Sequence, residues 1–379
     1  MIALAALGWI LAAAAVCGAA YCIIATVLFA RFLARTPATS ADFPGVTILK
    51  PLHGAPANLH AALTSFCGQD YPGPFQIILG VQDPADPAIA VVNRLKSEHP
   101  DLDIALVIDE TLHGANRKIS NLINMAPSAR WELLVLSDAD VEAPSDYLRS
   151  VVAELGAPGV GAVTCLYHGR GVKGLFSTLS AMGIDYRFAP SVVLGVELGM
   201  AHPCLGPSIA LPASLLAAVG GFTAFSDCLA DDYEIGRAVR RQGLSIVIPP
   251  GLVTHTCGED SLAAFMDHEI RWARTVRRID PRGYAGSGIT HPLPLVLIAA
   301  AALGFSPVAI GLVFAILLVR VSSKFRIDAI TRTSAGPWWL VPVSDVLSFV
   351  VFLASFLSNT VVWQGRRFRV GPDGILSNI

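Results

Sequence analysis

The sequence predicts an α/β protein, a doubly wound domain of alternating strands and helices flanked by N- and C-terminal transmembrane helices. Three observations carry this expectation. Hydrophobic residues make up 53% of the 379-residue chain and charged residues only 15%, a balance outside the usual soluble range. The apolar residues gather at the two ends and leave a middle of roughly 250 residues with ordinary globular composition. Within that middle, short β-branched runs alternate with stretches of helical spacing.

Residues 2–32 are almost wholly apolar, with no charge before Arg31 and with Arg35 just behind. Such a run spans a bilayer with some tilt. It has no basic segment ahead of it and is too long for the apolar core of a signal peptide. The arginines behind it place the next domain on the cytoplasmic side by the positive-inside rule. The chain divides into a transmembrane helix at 1–34, a cytoplasmic domain at 40–288, and a membrane region at 289–379 with apolar segments 292–319 and 338–363 and a basic tail.

In the middle, strands at 43–51 and 75–81 enclose a helix at 58–66, where Leu59, Leu63 and Phe66 share one face. A helix at 88–98 and a strand at 104–108 follow, then a polar loop at 109–118 and a strand at 133–136. Further on come a helix at 145–155, a strand at 160–166 and a glycine-rich link through Gly169, Gly171 and Gly174. The stretch 205–211 and the Gly220-Gly221 turn lead to a helix at 232–242, and a strand at 245–248 and a helix at 261–279 complete the domain. Arg271, Arg274 and Arg278 share a face of that last helix, which reads as a basic amphipathic helix at an anionic membrane surface.

In the last region Pro307 interrupts the first apolar segment, and Asp345 is the acid inside the second. An acid at such a place is expected to pair with a nearby arginine inside the protein. Each segment crosses once or folds back at its break. Positive-inside counting does not choose, because Lys324, Arg326 and Arg332 lie between the segments and Arg366, Arg367 and Arg369 follow them.

Composition also excludes partners and chemistries. A net charge of −2, with basic residues clustered near the apolar segments, gives no footprint for nucleic acid. The seven cysteines are odd in number and form no C-x-x-C pair, which argues against a disulfide framework or a zinc site.

The chemistry centres on residues 131–141, WELLVLSDADV, an apolar strand running into Asp138 and Asp140. In an open α/β sheet this sets two carboxylates at the C-terminal edge, where ligands bind. Two such oxygens suit a hard divalent ion, Mg²⁺ or Mn²⁺, shared with the phosphates of a nucleotide diphosphate. A strand followed by an Asx turn is the competing account of the same stretch. Farther along, Asp231, Asp232 and Glu234 open a helix, where capping and the macrodipole also explain acids.

Asp83 after one strand, Asp138 with Asp140, then Asp232, then His268-x-x-Arg271-Trp272 stand in a fixed order. That order resembles the inverting membrane glycosyltransferases of family 2, whose fold is called GT-A, and in particular the ceramide glucosyltransferase branch, family 21. KPLHG at 50–54, VQDPADPAI at 81–89, NRKISNL at 116–122 and VVWQGRRFRV at 361–370 are similar to that branch. Their wording is closer still to the bacterial hopanoid-biosynthesis-associated glycosyltransferases, which put an N-acetylglucosamine on a hopanoid polyol.

The resemblance covers nearly the whole chain. It implies a GT-A nucleotide-sugar-binding domain at the bacterial inner membrane, a UDP-sugar donor and a membrane lipid acceptor, hopanoid or ceramide. Asp83 and Asp138 would contact the uridine with Lys118 close by, and Asp140 would hold the metal. Asp232 would be the general base, Arg271 would pair with the diphosphate and Trp272 would wall the acceptor pocket. His268 departs from the family's usual Gln or Arg, and a hydrogen-bonding or a structural role both fit it. A processive polysaccharide synthase shares these aspartates but needs a multi-helix channel, for which the chain has few apolar segments. A non-catalytic membrane scaffold with a degenerate transferase domain would not need Asp232 or the Arg271-Trp272 pair.

Overall fold

The computed structural model of the protein describes residues 2–56, 58–358, 360–363, 366–370 and 376–378. Helix α1 (Ile2–Leu33) leads to β1 (Val46–Pro51), α2 (Leu59–Cys67), β2 (Phe75–Val81), α3 (Ala88–Glu98), β3 (Asp103–Ile108), α4 (Arg117–Met125) and β4 (Leu133–Ser137). Next come β5 (Val141–Glu142), α5 (Tyr147–Leu155), β6 (Val160–Thr164), β7 (Leu166–Gly171), α6 (Leu175–Gly183), a π-helical segment (Ile184–Phe188) and α7 (Ala189–Glu197). They are followed by β8 (Ser208–Pro212), α8 (Ala213–Ala218), α9 (Asp231–Arg241), β9 (Ser245–Val247) and β10 (Leu252–Cys257). The remaining helices are α10 (Leu262–Ile279), α11 (Pro281–Gly286), α12 (Pro292–Ala302), α13 (Pro307–Thr331) and α14 (Val341–Ser355), ahead of the short strands β11 (Thr360–Trp363), β12 (Arg366–Val370) and β13 (Leu376–Asn378).

Seven strands form the main sheet in the order β3-β2-β1-β4-β8-β6-β9. β1 pairs in parallel with β2 and β4, β2 with β3, and β6 with β9, while β8 runs against its neighbours β4 and β6. Alternate residues of each strand feed opposite faces. Ile48, Ile77, Leu79 and Val135 enter one core, with Leu59 and Leu63 of α2, Val92 of α3 and Leu148 of α5. Leu49, Ile78, Leu134 and Leu136 enter the other, with Ile119 and Leu122 of α4 and Ile235 and Val239 of α9. Helices on both faces explain why these strands read as nearly continuous apolar runs. A second sheet, β5-β10-β7, hooks onto the C-terminal edge of the first, with β5 antiparallel and β7 parallel to β10.

Helix α1 has 32 residues, so it is roughly 48 Å long at 1.5 Å per residue, against about 30 Å of hydrocarbon. Its surplus length belongs to the domain: Phe29 and Phe32 are buried in the same core as Ile48 and Ile77. Just past its end, Arg35 pairs with Glu197, the last residue of α7, at 2.6 Å. Three helical stretches, Ile2–Leu33, Pro307–Thr331 and Trp338–Ser355, are long and apolar enough to cross a membrane, and Pro281–Thr290 with Pro292–Ala302 makes a further apolar pair bent by 65°.

Several expected elements differ. The loop expected at 109–118 ends in a helix, because Asn116 caps α4 by accepting the Ile119 N–H at 3.0 Å. The strand expected at 160–166 is two strands that turn from one sheet to the other, and Gly169 and Gly171 lie inside the second rather than in a link. The stretch 175–197, for which periodicity predicts no element, is α6, the π segment and α7.

The apolar segment expected at 292–319 breaks ahead of Pro307 and then continues to Thr331, carrying Arg320, Lys324 and Arg326 on the helix itself. Arg320 and Lys324 tolerate that place because Asp345 and Asp328 pair with them. The apolar segment expected at 338–363 is helical only to Ser355, and 360–363 is a strand paired with 366–370. The α10 arginines do not form a free lipid-facing stripe. Arg274, from the expected face, donates to the Thr360 carbonyl, and the neighbouring Arg277 donates to the Ser358 carbonyl at 3.0 Å and lies over the Phe356 ring, so this part of α10 receives the chain leaving α14.

Candidate active site

The acidic turn after β4 is built around a buried lysine. Lys50, in β1 beside β4, is 0% exposed. Its ammonium donates to Ser137 Oγ at 3.1 Å and to the carbonyls of Asp138 and Val141 at 2.8 and 3.3 Å, and it lies over the Phe66 ring. Three acceptors from one turn converge on one cation, which fixes the backbone between the two aspartates. Burial pushes the pKa of Lys50 down to about 7, against the pull of Asp140 and Asp138.

Helices α4 and α9 supply the next layer. Gly80 in β2 lets α4 approach, since a Cβ there would stand 2.3 Å from Met125 Sδ, and Asn121 donates to the Gly80 carbonyl at 2.8 Å. Lys118, in the first turn of α4, reaches Asp138 at 2.7 Å and Asp231 at 3.4 Å. Although burial disfavours its charge, Asp138 and Asp231 raise its pKa, so it stays cationic. Asn116 is fully buried; its amide donates to the Cys228 carbonyl at 2.8 Å and to Asp231 at 3.3 Å, tying the start of α9 to α4.

Asp232 stands apart from these pairs. The N-cap of α9 is Ala230, with no side-chain cap hydrogen bond, so neither neighbouring aspartate fills the capping role that the sequence allowed. Asp232 Oδ1 accepts the Tyr233 N–H at 2.8 Å, and Oδ2 faces Gly206, where a Cβ would come within 3.0 Å. Burial and the neighbouring Asp231 push its pKa up to about 6.

Strand β10 and helix α10 close the far side. His255 lies opposite Val141 in the small sheet, with Nδ1 3.5 Å from Asp140 Oδ1. Both of these atoms are buried without a hydrogen-bond partner. Burial works against the charge on His255, yet Asp140 holds the imidazole pKa up. Trp272 of α10 packs among His255, His268 and Phe188, with ring centroids 6.4, 5.0 and 6.2 Å away. His268 Nδ1 is hydrogen-bonded to Glu259, and its ring meets that of Trp272 at a T-shaped angle. Among the described residues no carboxylate lies within ion-pair distance of Arg271. Burial lowers its pKa, while Asp138, Glu269 and Asp232 pull it back up.

Asp83 follows β2 at the same edge, exposed, with Oδ1 accepting the Ala85 N–H at 2.8 Å. Two strand spacings, roughly 10 Å, separate it from the end of β4. Lys118, expected close to the Asp83 and Asp138 pair, stands on the Asp138 side, paired with Asp138 and Asp231. The remaining sequence-chosen residues, Asp138, Asp140, Lys118, Asp232, Arg271 and Trp272, gather around this edge. Lys50, Asn116 and His255 were not chosen; Lys50 and Asn116 stood inside quoted motifs, and His255 in an alternating run, 252–257, that had the signature of a strand.

The donor set fits a divalent cation. Asp140 Oδ1 and His255 Nδ1 are buried 3.5 Å apart, and neither makes a hydrogen bond among the described residues. Among the described residues no cluster of three His, Cys, Asp or Glu side chains forms a protein-only cage, so phosphate oxygens and water would complete the shell, as Mg²⁺ and Mn²⁺ accept.

A GT-A sheet with acids, a lysine and an arginine at its C-terminal edge, backed by membrane-length helices, defines a sugar-transferring enzyme. The chain belongs to glycosyl transferase family 21, whose family model matches residues 7–376. Ceramide glucosyltransferase 1 of Caenorhabditis elegans is 22% identical over 345 residues, covering 87% of this chain and 72% of the relative. An N-acetylglucosaminyltransferase of Rhizobium meliloti is 22% identical over 340 residues, covering 86% and 76%. The mannosyltransferase PcManGT from Pyrobaculum calidifontis, solved with GDP-Man and Mn²⁺, shares the fold at a TM-score of 0.54 and 22% identity, over 90% of this chain and 99% of its own.

Proposed function

We propose that this enzyme transfers a sugar from a UDP-sugar, with inversion, to a hydroxyl of a membrane lipid, and that the pair is N-acetylglucosamine and a hopanoid polyol. The motifs at 81–89, 116–122 and 361–370 support the hopanoid assignment. Glucose and ceramide are the second reading, supported by the ceramide glucosyltransferase relatives. The observation that carries the chemistry is the division among four acids at one edge. Asp138 and Asp231 are paired with Lys118, Asp140 faces His255, and Asp232 is held only by a backbone N–H.

In this mechanism Asp83 and Asp138 receive the uridine, with Lys118 holding Asp138 in place. Arg271 pairs with the diphosphate. Asp140 and His255 would hold a divalent cation, which supplies charge neutralisation for the departing UDP. Trp272 presents an apolar wall to the acceptor. Asp232, with a pKa near 6, is ionised at neutral pH and accepts the hydroxyl proton as that oxygen attacks the anomeric carbon and the bond to UDP breaks. Inversion follows from this single displacement.

The catalytic edge faces the cytoplasm of a bacterium in this reading, with the helices in the inner membrane. The test is purified enzyme in detergent with Mn²⁺, given UDP-N-acetylglucosamine with bacteriohopanetetrol and UDP-glucose with ceramide. UDP release and the anomeric configuration of the glycolipid are measured. Acceptor-dependent release with an inverted product is expected. No release with any lipid acceptor sinks the proposal.

A further inference from the structure

Asp345 in the second apolar segment and the π segment belong to one arrangement. Helices α6 and α7 would form one α-helix but for Pro190, which has no N–H for the Tyr186 carbonyl four residues back and whose ring crowds that carbonyl. The helix widens over Ile184–Phe188, and the Ala189 N–H reaches the Ile184 carbonyl five residues back. The Tyr186 carbonyl accepts instead from Arg320 of α13 at 3.3 Å. Arg320 is held by both oxygens of Asp345 of α14, at 2.7 and 2.8 Å, with each side chain 4% exposed.

Successive residues of the π segment take different partners. Asp185 accepts the Gly169 N–H of β7 at 2.7 Å. Tyr186 donates its hydroxyl proton to Asp328 at 2.6 Å and accepts the Ala335 N–H at 3.1 Å. Arg187 donates to the carbonyl and hydroxyl of Ser344 at 3.2 and 2.9 Å and stands 3.7 Å from Asp345. Phe188 packs against Trp272 and against Tyr167, with the latter centroid at 5.2 Å. Apolar packing would join these helices as firmly as buried charges do. What the charges add is a fixed register between α13, α14 and the segment that bears on Trp272.

We propose that the Arg320–Asp345–Arg187 network and the π segment form a positioning device that registers Trp272 to the membrane helices, and so sets where a bilayer lipid meets the catalytic edge. This rests on the reading of Trp272 as the acceptor wall. In this role Arg187, Arg320 and Asp345 act on the reaction through Trp272, as positioning residues.

The test uses full-length protein in nanodiscs carrying bacteriohopanetetrol or ceramide, with KM and kcat measured separately for lipid and UDP-sugar, UDP affinity, and thermal midpoint. Two variants are compared. Pro190→Ala removes no charge and returns an N–H to the helix; Arg187→Met, Arg320→Met and Asp345→Leu together replace the whole network by apolar bulk, so neither leaves one of these charges without its counterion. Both are expected to keep wild-type UDP affinity and UDP-sugar KM, while transfer efficiency toward the lipid falls about 10-fold or more, since small misplacements of reacting groups cost up to ~100-fold. Wild-type lipid kinetics in either variant, or equal losses toward donor and lipid, would overturn the inference. Wild-type enzyme that glycosylates neither lipid would instead remove the reading beneath it.

Discussion

The sharpest perturbation is Asp232→Asn. Asparagine keeps the shape and the Oδ1 acceptor for the Tyr233 N–H, the hydrogen bond that the carboxylate makes at 2.8 Å. It removes one negative charge from the first turn of α9, worth about 0.3–1 kcal/mol against the macrodipole, and it relieves repulsion from Asp231. These effects oppose each other, so the thermal midpoint should hardly move. An amide cannot accept the acceptor's proton at neutral pH. Loss of general-base assistance costs roughly 10²–10⁴ in rate, or about 2.7–5.5 kcal/mol at 1.36 kcal/mol per decade. UDP affinity and transfer rate are measured on the same purified variant, beside Asp231→Asn. Asp231 pairs with Lys118 and Asn116 and is 7% exposed, so its variant should lose stability more than rate. Transfer by Asp232→Asn within a few-fold of wild type refutes the base assignment and moves the search to Asp231.

Other outcomes follow from the same edge. Asp140 is 40% exposed and its buried Oδ1 has no protein hydrogen bond, so Asp140→Ala should abolish Mn²⁺ binding by electron paramagnetic resonance and leave the thermal midpoint nearly unchanged; undiminished Mn²⁺ binding removes it from the metal site. Because a carboxylate accepts a proton only when ionised, the rate should drop as pH falls through about 6, the pKa of Asp232; a profile flat down to pH 5 contradicts that role. Lys50→Met leaves a hydroxyl and two carbonyls without their donor, which should cost about 2–4 kcal/mol in denaturant unfolding and weaken UDP binding; unchanged UDP affinity shows that the turn holds its shape alone. A reporter fused near Gly114 should read cytoplasmic, and a periplasmic signal reverses the orientation.

The fold was legible where the physics is local. Strand 75–81 and helix 88–98 have the limits expected from periodicity, since a parallel strand buried on both faces and a half-buried helix write different patterns. Residues 175–197 escaped because α6 and α7 are apolar nearly all round, and a buried helix of that kind has no stripe to read. The acids of the edge were visible because β4 runs straight into two of them. Lys50 and His255 were not, because each acquires its meaning from a strand pairing: Lys50 from β1 beside β4, His255 from β10 beside β5. The α10 arginines misled for a related reason. Charge spacing on a helix does not distinguish lipid phosphates from the carbonyls of a chain end, and here Ser358 and Thr360 take the donors.

Positive-inside counting leaves the C-terminal segments undecided for a physical reason as well. It treats every arginine and lysine near an apolar segment as solvated, but Arg320 and Lys324 are 4% and 3% exposed and sit in ion pairs with Asp345 and Asp328. Arg31 and Arg35 stand at the end of α1 that is buried in the domain core through Phe29 and Phe32. The surplus of α1 over a bilayer's thickness therefore does structural work inside the transferase domain. α7 packs along that surplus, with Glu197 held by Arg35 at its end. A domain joined this tightly to its first helix cannot swing far from that helix, and if Asp232 is the base of the proposed reaction, its distance from the bilayer is set by the same joint.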